Sequence, residues 1–127
     1  IHGWMASLLP LYLREYYKEE PLFTESKIVT SIYDNNFEGT LSSSLVDKIK
    51  FDKIDEDKVT DLKTSSHVNI LKNAIENSDA VIKGSESISD ELLQFIDKTK
   101  KPVLEYQSEE TLAEAYLNFY ANDVLAQ

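Results

Sequence analysis

Residues 66–85 read SHVNILKNAIENSDAVIKGS, and this stretch decides the fold class. Within residues 66–79, Val68, Leu71 and Ile75 recur at helical spacing and lie on one face. The run AVIKGS that follows is a short strand, ended by Gly84. A helix feeding a strand through a few polar residues is the unit from which parallel sheets are built.

The same alternation continues in both directions. Downstream, SESISDELLQFIDKTKK (residues 85–101) is a helix opening on Ser-x-Ser-Asp-Glu, with Leu92, Leu93 and Ile96 as its apolar side. Pro102 breaks the chain, VLEY (103–106) is a third strand, and SEETLAEAYLNFYANDVLA (108–126) is a closing helix. Ser108 is its expected cap, with acidic residues in the first turn where the helix dipole favours them. Upstream, KIVTSIY (27–33) is a β-branched run of strand length between FTES and DNN. DNNFEGT is loop chemistry, with Gly39 free to take positive φ. SSSLVDKIK reads as a short Ser-capped helix, and FDKIDEDKVTDLKTSS as a charged, mostly exposed connection.

At the front, IHGWMASLLPLYLREYY (1–17) carries Leu8, Leu9, Tyr12, Leu13 and Tyr16 at helical spacing, widened by Leu11 and Tyr17. Pro10 inside that helix would cost about 3 kcal/mol, so a kink or a first turn ending there is expected. KEEP closes the helix and Pro21 stops it. The apolar arc is too wide for one packed face, which predicts an exposed apolar patch on the Trp4–Tyr17 helix, or a homo-oligomer formed through it. This first helix also calls for a strand before it, and Ile1-His2 reads as the end of one. The order helix, strand, helices, strand, helix, strand, helix implies an α/β fold with a parallel sheet and flanking helices.

Composition narrows the function. A chain of 127 residues is at most one ordinary domain. The net charge of −10 opposes nucleic acid and anionic membranes as partners. No stretch is apolar over the roughly twenty residues of a membrane span. There is no Cys, which removes disulfides and thiolate metal sites and accords with a reducing cytoplasm. His67 starts a helix with no second His or Cys near it, so no metal site is expected. Gly3, Gly39 and Gly84 lie far apart, and no Gly-rich phosphate cradle is present.

In their order, these residues resemble the N-terminal domain of bacterial glycogen and plant starch synthases, specifically its second half. That family has a strand ending in His, then Asp-Trp-His/Gln-Thr/Ala and an apolar helix with an internal Pro; here the text is His2-Gly3-Trp4-Met5-Ala6 and then SLLPLYL. The family's next strand, Val-Phe-Thr-Val/Ile-His-Asn leading to Tyr/Phe-Gln-Gly, corresponds to IVTSIYDNNFEG. Its Leu-Lys-x-Gly/Ala helix, ending in Ala-Asp, corresponds to ILKNAIENSDAVIKGS, with Lys72, Asp79 and Ser85 in place. The resemblance runs nearly end to end and thins between Thr40 and Ser66.

The departures fall on the sugar pocket. Gly3 stands where the family carries an Asp that helps hold the donor sugar, Tyr33 where it carries a His, and Asp34 where it carries the following Asn. Glu105 and Tyr106 replace the Asn and Gly of its Val-Leu/Pro-Asn-Gly-Val/Ile-Asp. Losing such a partner leaves polar sugar atoms unpaired, at about 1–3 kcal/mol each.

The resemblance implies a Rossmann-like three-layer fold, residues 1–127 forming a partial domain. The implied reaction is glucosyl transfer from ADP-glucose to an α-1,4-glucan in a bacterial cytoplasm, without cofactor. His2, Gly3, Tyr33, Asp34, Asn35 and Glu105 are the candidate substrate-binding residues, and no catalytic residue is assigned. Each has a plainer reading: His2 as a packed His at a strand end, and Tyr33-Asp34-Asn35-Asn36 as an Asx turn. The family's Lys-x-Gly-Gly-Leu phosphate loop and second domain lie outside these residues, so the 127-residue chain alone is expected to be inactive. The rival function is a non-catalytic glycan-binding or protein-interaction module derived from the same fold.

Overall fold

The computed structural model describes residues 1–126. Its centre is a three-stranded parallel sheet in the order β1 (Val29–Ile32), β2 (Ala80–Lys83), β3 (Val103–Leu104). Val29 pairs with Ala80 and Ile32 with Lys83, while Val81 pairs with Val103 and Ile82 with Leu104. Ile1–Gly3 runs beside β1: Ser31 N–H donates to the Ile1 carbonyl at 2.8 Å, Gly3 N–H to the Ser31 carbonyl at 3.0 Å, and His2 bridges Ser31 in parallel. Where the sequence places a strand end at Ile1-His2, His2 makes an isolated bridge and belongs to no named strand.

Strand alternation explains the layers. Val81 and Ile32 point to one face, where Leu71 and Ile75 of α3 (His67–Glu76) and Leu92 and Ile96 of α4 (Asp90–Thr99) cover them. Ala80 and Ile82 point to the other, closed by α5 (Leu112–Phe119) and the π-helical turn Tyr120–Val124 through Phe119 and Val124. A central strand buried on both faces needs this three-layer arrangement.

Several local expectations are corrected. The front segment is not one helix: a 3₁₀ turn, Trp4–Ala6, precedes α1 (Leu9–Glu15). Pro10 sits in the first turn of α1, where its missing N–H costs nothing. The helix ends before KEEP: Tyr17 N–H donates at 2.9 Å to the Tyr12 carbonyl, which Tyr16 N–H also reaches at 3.0 Å, and so leaves the i→i−4 pattern. Leu11 is fully buried, whereas Met5, Leu9, Tyr16 and Tyr17 are exposed, so the apolar patch read from the sequence is present.

The charged connection 51–66 is less exposed than its composition implies. It contains the 3₁₀ segment Glu56–Lys63, whose three-residue turn puts Val59 and Leu62 on one side. Both are buried with Ile54 against Leu11, Ile70, and Ile49 of α2 (Leu45–Phe51), in a cluster apart from the sheet. Helix α3 is therefore buried on two sides and not on one, Ile70 facing this cluster and Leu71 and Ile75 the sheet. On α4, Leu93 is only half-buried and Phe95 joins Leu92 and Ile96 in packing.

Caps differ too. Ser66 caps α3, its Oγ accepting from Asn69 N–H at 3.3 Å, but Ser44 makes no side-chain cap to α2. The closing helix starts at Leu112, and Ser108 serves it through its backbone: Thr111 and Leu112 N–H donate to the Ser108 carbonyl.

The amino-terminal ends of the strands are locked by charge. The Asp79 carboxylate accepts from the Arg14 guanidinium and from Ile28 N–H, the latter at 2.6 Å, while Asp79 N–H donates to the Ile28 carbonyl at 2.7 Å. The Lys101 ammonium donates to the carbonyls of Ile75, Glu76 and Ser78, closing the end of α3. Burial pulls the Lys101 pKa below the usual lysine value, against the attraction of Asp79 and Glu76.

Asp79→Ala removes an ion pair and the acceptor of a backbone N–H together. It is expected to cost about 2–3 kcal/mol in urea unfolding, whereas Asp97→Ala, on the exposed side of α4, should stay within about 0.5 kcal/mol. A second expectation concerns Tyr12, whose hydroxyl donates to Asp52 at 2.6 Å. Burial first, then the Asp52 carboxylate, pushes its pKa from 10.0 up to about 12. The folded value lies above the unfolded one, so this contribution is whole below pH 10.0 and is lost as pH rises through about 12. Alkaline unfolding of Tyr12→Phe should show a shallower fall over that window.

Candidate functional site

Because the strands are parallel, the loops that follow them leave by one edge, where open α/β sheets bind ligands. His2–Trp4, Tyr33–Phe37, Gly84–Glu86 and Glu105–Gln107 meet there.

Tyr33 is the pivot. Its hydroxyl pairs with His2 Nδ1 at 2.9 Å, which orients both rings. The ring lies against Gly84 so closely that a Cβ at that position would stand 2.3 Å from Tyr33 Cε1. Gly84 N–H in turn donates to the Ile32 carbonyl at 2.7 Å, so moving the backbone to relieve the contact would strain that bond. Gly3 has φ 68 and ψ 179, a region open to glycine almost alone. A Cβ there would also stand 3.3 Å from Asn35 Nδ2. His2, Gly3, Tyr33 and Asn35 thus form one contiguous group.

Asp34 and Glu105 join this edge through other residues. Asp34 N–H donates to Ser85 Oγ at 2.9 Å, tying the loop after β1 to the loop after β2. Glu105 holds the Lys83 ammonium with both carboxylate oxygens, at 2.8 and 2.9 Å. Lys83 is thereby neutralised, and the described residues offer no free cationic cluster at this edge.

Two hollows flank Tyr33. The smaller, about 60 Å³, is lined by Tyr33, Asp34, Asn36, Ser89 and His67. His67 is buried, its ring edge-on to Phe37 at 5.6 Å, and its Nε2 meets no protein partner. Burial lowers its pKa, with Asp34 opposing. The larger hollow, about 210 Å³, is walled by Tyr33, Tyr106 and Tyr116 over Lys83 and Gly84. Burial, then Tyr33 and Tyr120, raises the Tyr116 pKa, so its hydroxyl stays protonated through the neutral range. The polar lining consists of hydroxyls, amides, the His67 imidazole, the carboxylates of Asp34 and Glu109, and Lys83 paired with Glu105, so among the described residues it offers an anionic ligand no unpaired Lys or Arg.

Sequence reasoning missed His67, Ser89, Lys83 and Tyr116 as parts of this edge. Lys83 was legible as the last residue of a strand before Gly84, and Tyr116 as a polar-tipped aromatic on the apolar side of α5. No sequence pattern pointed to His67, which enters through packing on Phe37.

Over residues 1–105 the chain matches the family of starch synthase catalytic domains. It is 30% identical over 94 residues to a glycogen synthase of Chlorobium luteolum, covering 72% of this chain and 18% of that protein. It is 30% identical over 80 residues to a glycogen synthase of Koribacter versatilis, covering 63% and 16%. With a glycogen synthase of Thermodesulfovibrio yellowstonii it shares 26% over 92 residues, covering 72% and 18%. The chain spans under a fifth of the length of these curated relatives. No solved structure matches it.

Gly84→Ala tests the pivot. The added methyl must expel the Tyr33 ring, breaking the His2 bond, at an expected cost of about 1–3 kcal/mol for overpacking. The His2 and Tyr33 ring resonances should move while those of α4 stay in place.

Proposed function

The chain belongs to the starch synthase catalytic-domain family, and on that premise we propose that the protein transfers glucose, with retention, from ADP-glucose to an α-1,4-glucan. Residues 1–127 are read as the second half of the N-terminal domain of such an enzyme, working in a bacterial cytoplasm. The observation that carries the reading is that the family match spans all three strands, and that the polar groups of this stretch converge where they end.

In this reading His2, Tyr33, Asp34 and Asn35 line the sugar side. His2 and Tyr33 fix each other's orientation, so neither ring must be ordered when sugar arrives. Asp34 and Asn35 offer a carboxylate and an amide to sugar hydroxyls. Gly3 lets the backbone approach closely, and Glu105 holds Lys83 in place. Glucosyl transfer requires stabilisation of an oxocarbenium-like sugar and of a departing diphosphate. The described residues supply groups for the first and, with Lys83 neutralised, no evident group for the second.

That neutralisation favours a second reading, a glycan-binding module that has kept the fold and lost the reaction. Incorporation of labelled ADP-glucose into glycogen, by the protein that carries this chain, separates the two. Turnover with retention of anomeric configuration is expected; glucan binding without turnover selects the module. The 127-residue chain by itself should run more than about 10³-fold below a working synthase, each missing transition-state contact being worth about 10²–10³. Turnover by that chain at a synthase's rate would overturn the division of labour.

A further inference from the structure

The loop that follows β1 is fastened firmly at its two ends and lightly between them. Tyr33 is tied to His2 and seated on Gly84. At the far end Thr40 bridges Ser66, Leu41 N–H donates to the Ser65 carbonyl at 3.0 Å, and Ser65 Oγ donates to the Leu41 carbonyl at 3.2 Å. Between these ends Asp34, Asn35, Asn36, Glu38 and Gly39 are exposed, and Gly39 takes φ 80 with open space where a Cβ would stand. The span is held down chiefly by the exposed bond from Asp34 N–H to Ser85 Oγ and by Phe37. The half-buried Phe37 ring lies 4.6 Å from Trp4 and 5.6 Å from His67.

We propose that His67 is a proton-operated latch on this loop: the neutral ring keeps Phe37 seated and residues 34–39 closed, and protonation of the ring releases them. His67 is the first residue of α3 and follows Ser66, so the latch adjoins the far hinge. It is 8% exposed, and its Nε2 has no hydrogen-bond partner in the protein. An apolar ring would pack against Phe37 without leaving a buried polar atom unpaired, which folded proteins avoid. What histidine adds at this place is a group whose charge changes near neutral pH.

The surroundings of the ring favour its neutral form. The hollow beside it is about 60 Å³, room for one or two water molecules and too little to hydrate a cation fully. Asp34 faces it from the loop and attracts the cation, and Tyr33 brings a phenol bonded to His2. Val68 of α3, the start of α4 and the Trp4–Ala6 turn behind Phe37 add no titratable group. The Lys72–Glu91 pair between α3 and α4 is satisfied within itself and does not line the hollow. Burial outweighs Asp34 and holds the His67 pKa below the ordinary 6.5. With the loop open, water reaches the ring and that depression ends. The closed loop is therefore fully favoured above pH 6.5 and loses ground as pH falls through the lowered value.

In the glucosyltransferase reading this loop carries Asp34 and Asn35 to the sugar side, so acid would withdraw them. The latch itself needs no ligand and is tested without one.

The experiment follows this chain from about pH 8 to about pH 5, the span in which an ordinary histidine changes charge. Trp4 is the single tryptophan, so its fluorescence reports the Phe37 contact, while ring and amide resonances identify the residues that move. His67 should titrate below 6.5, with Trp4, Phe37 and the amides of residues 34–38 shifting in step and those of α4 staying in place. The open-to-closed ratio should rise about tenfold for each whole pH unit by which His67 titrates below that value. His67→Phe and His67→Gln should each abolish the transition. Phe37→Ala should return His67 toward 6.5, and Asp34→Asn should lower it further. The amide spectrum at the alkaline end reports the folding of each variant. A His67 titration that leaves Trp4 and Phe37 unmoved would overturn the latch, and so would the absence of any transition in this span. A transition that survives both His67 variants and disappears in His2→Gln would belong to the His2–Tyr33 bond and overturn it as well. The transition intact in a protein that transfers no glucose would uphold the latch and count against the enzymatic reading alone.

Discussion

The rest of the molecule depends on what Asp79 does at the turn between α3 and β2. A side chain at the start of the central strand accepts from the backbone of the neighbouring strand and from a guanidinium on α1. The exchange between Asp79 and Ile28 aligns β1 with β2, so that Val29 falls opposite Ala80 and every later pair follows. A slip of one residue would turn Ile32 to the face opposite Val81, away from α3 and α4. Lys101 completes the arrangement from the other side, because the chain entering β3 carries the cation that closes α3. Helix dipole and fixed charge then act in the same direction.

This concentrates rigidity at one edge of the sheet and leaves the opposite edge to loops. The strands are short, and β3 has only Val103 and Leu104, so the loops begin close to the anchored end and inherit its positional precision. Tyr33, Gly84 and Glu105 each follow directly on a strand or its last residue. Their mutual placement therefore depends on register more than on loop conformation, which is how a binding surface can be preorganised by so small a sheet.

Legibility in the sequence followed the range of the interaction. The α3–β2 junction, the strands and the parallel order were readable because hydrophobic period and turn chemistry are local. The buried side of Glu56–Lys63 was not, since Val59 and Leu62 recur every three residues among charges, a period that neither the helical nor the strand pattern reveals. Ser108 and Ser44 carried the composition of caps, but the side-chain bond depends on where the first turn actually forms. The site divides in the same way. Tyr33 and Asp34 stood out as a polar cluster after a strand. The His2–Tyr33 bond joins residues 31 apart and the Lys83–Glu105 pair residues 22 apart, and only the assembled sheet brings them together.

The double-sided burial of α3 has a consequence for how the molecule opens. Leu11, Ile49, Val59 and Leu62 form a lobe that touches the sheet chiefly through this helix, while β2 is enclosed on both faces. The part of this lobe in α2 and the 3₁₀ segment makes no tie to the strand ends and can open without parting them, whereas exposing the Val81 or Ile82 amide requires β2 to lose its covering layers. Amide exchange in α2 and the 3₁₀ segment is therefore expected to proceed through a partial opening, and that of β2 through a larger one. Ligand at the strand ends would slow the second process and leave the first untouched, so the molecule carries two separable stabilities within a single domain's length of chain.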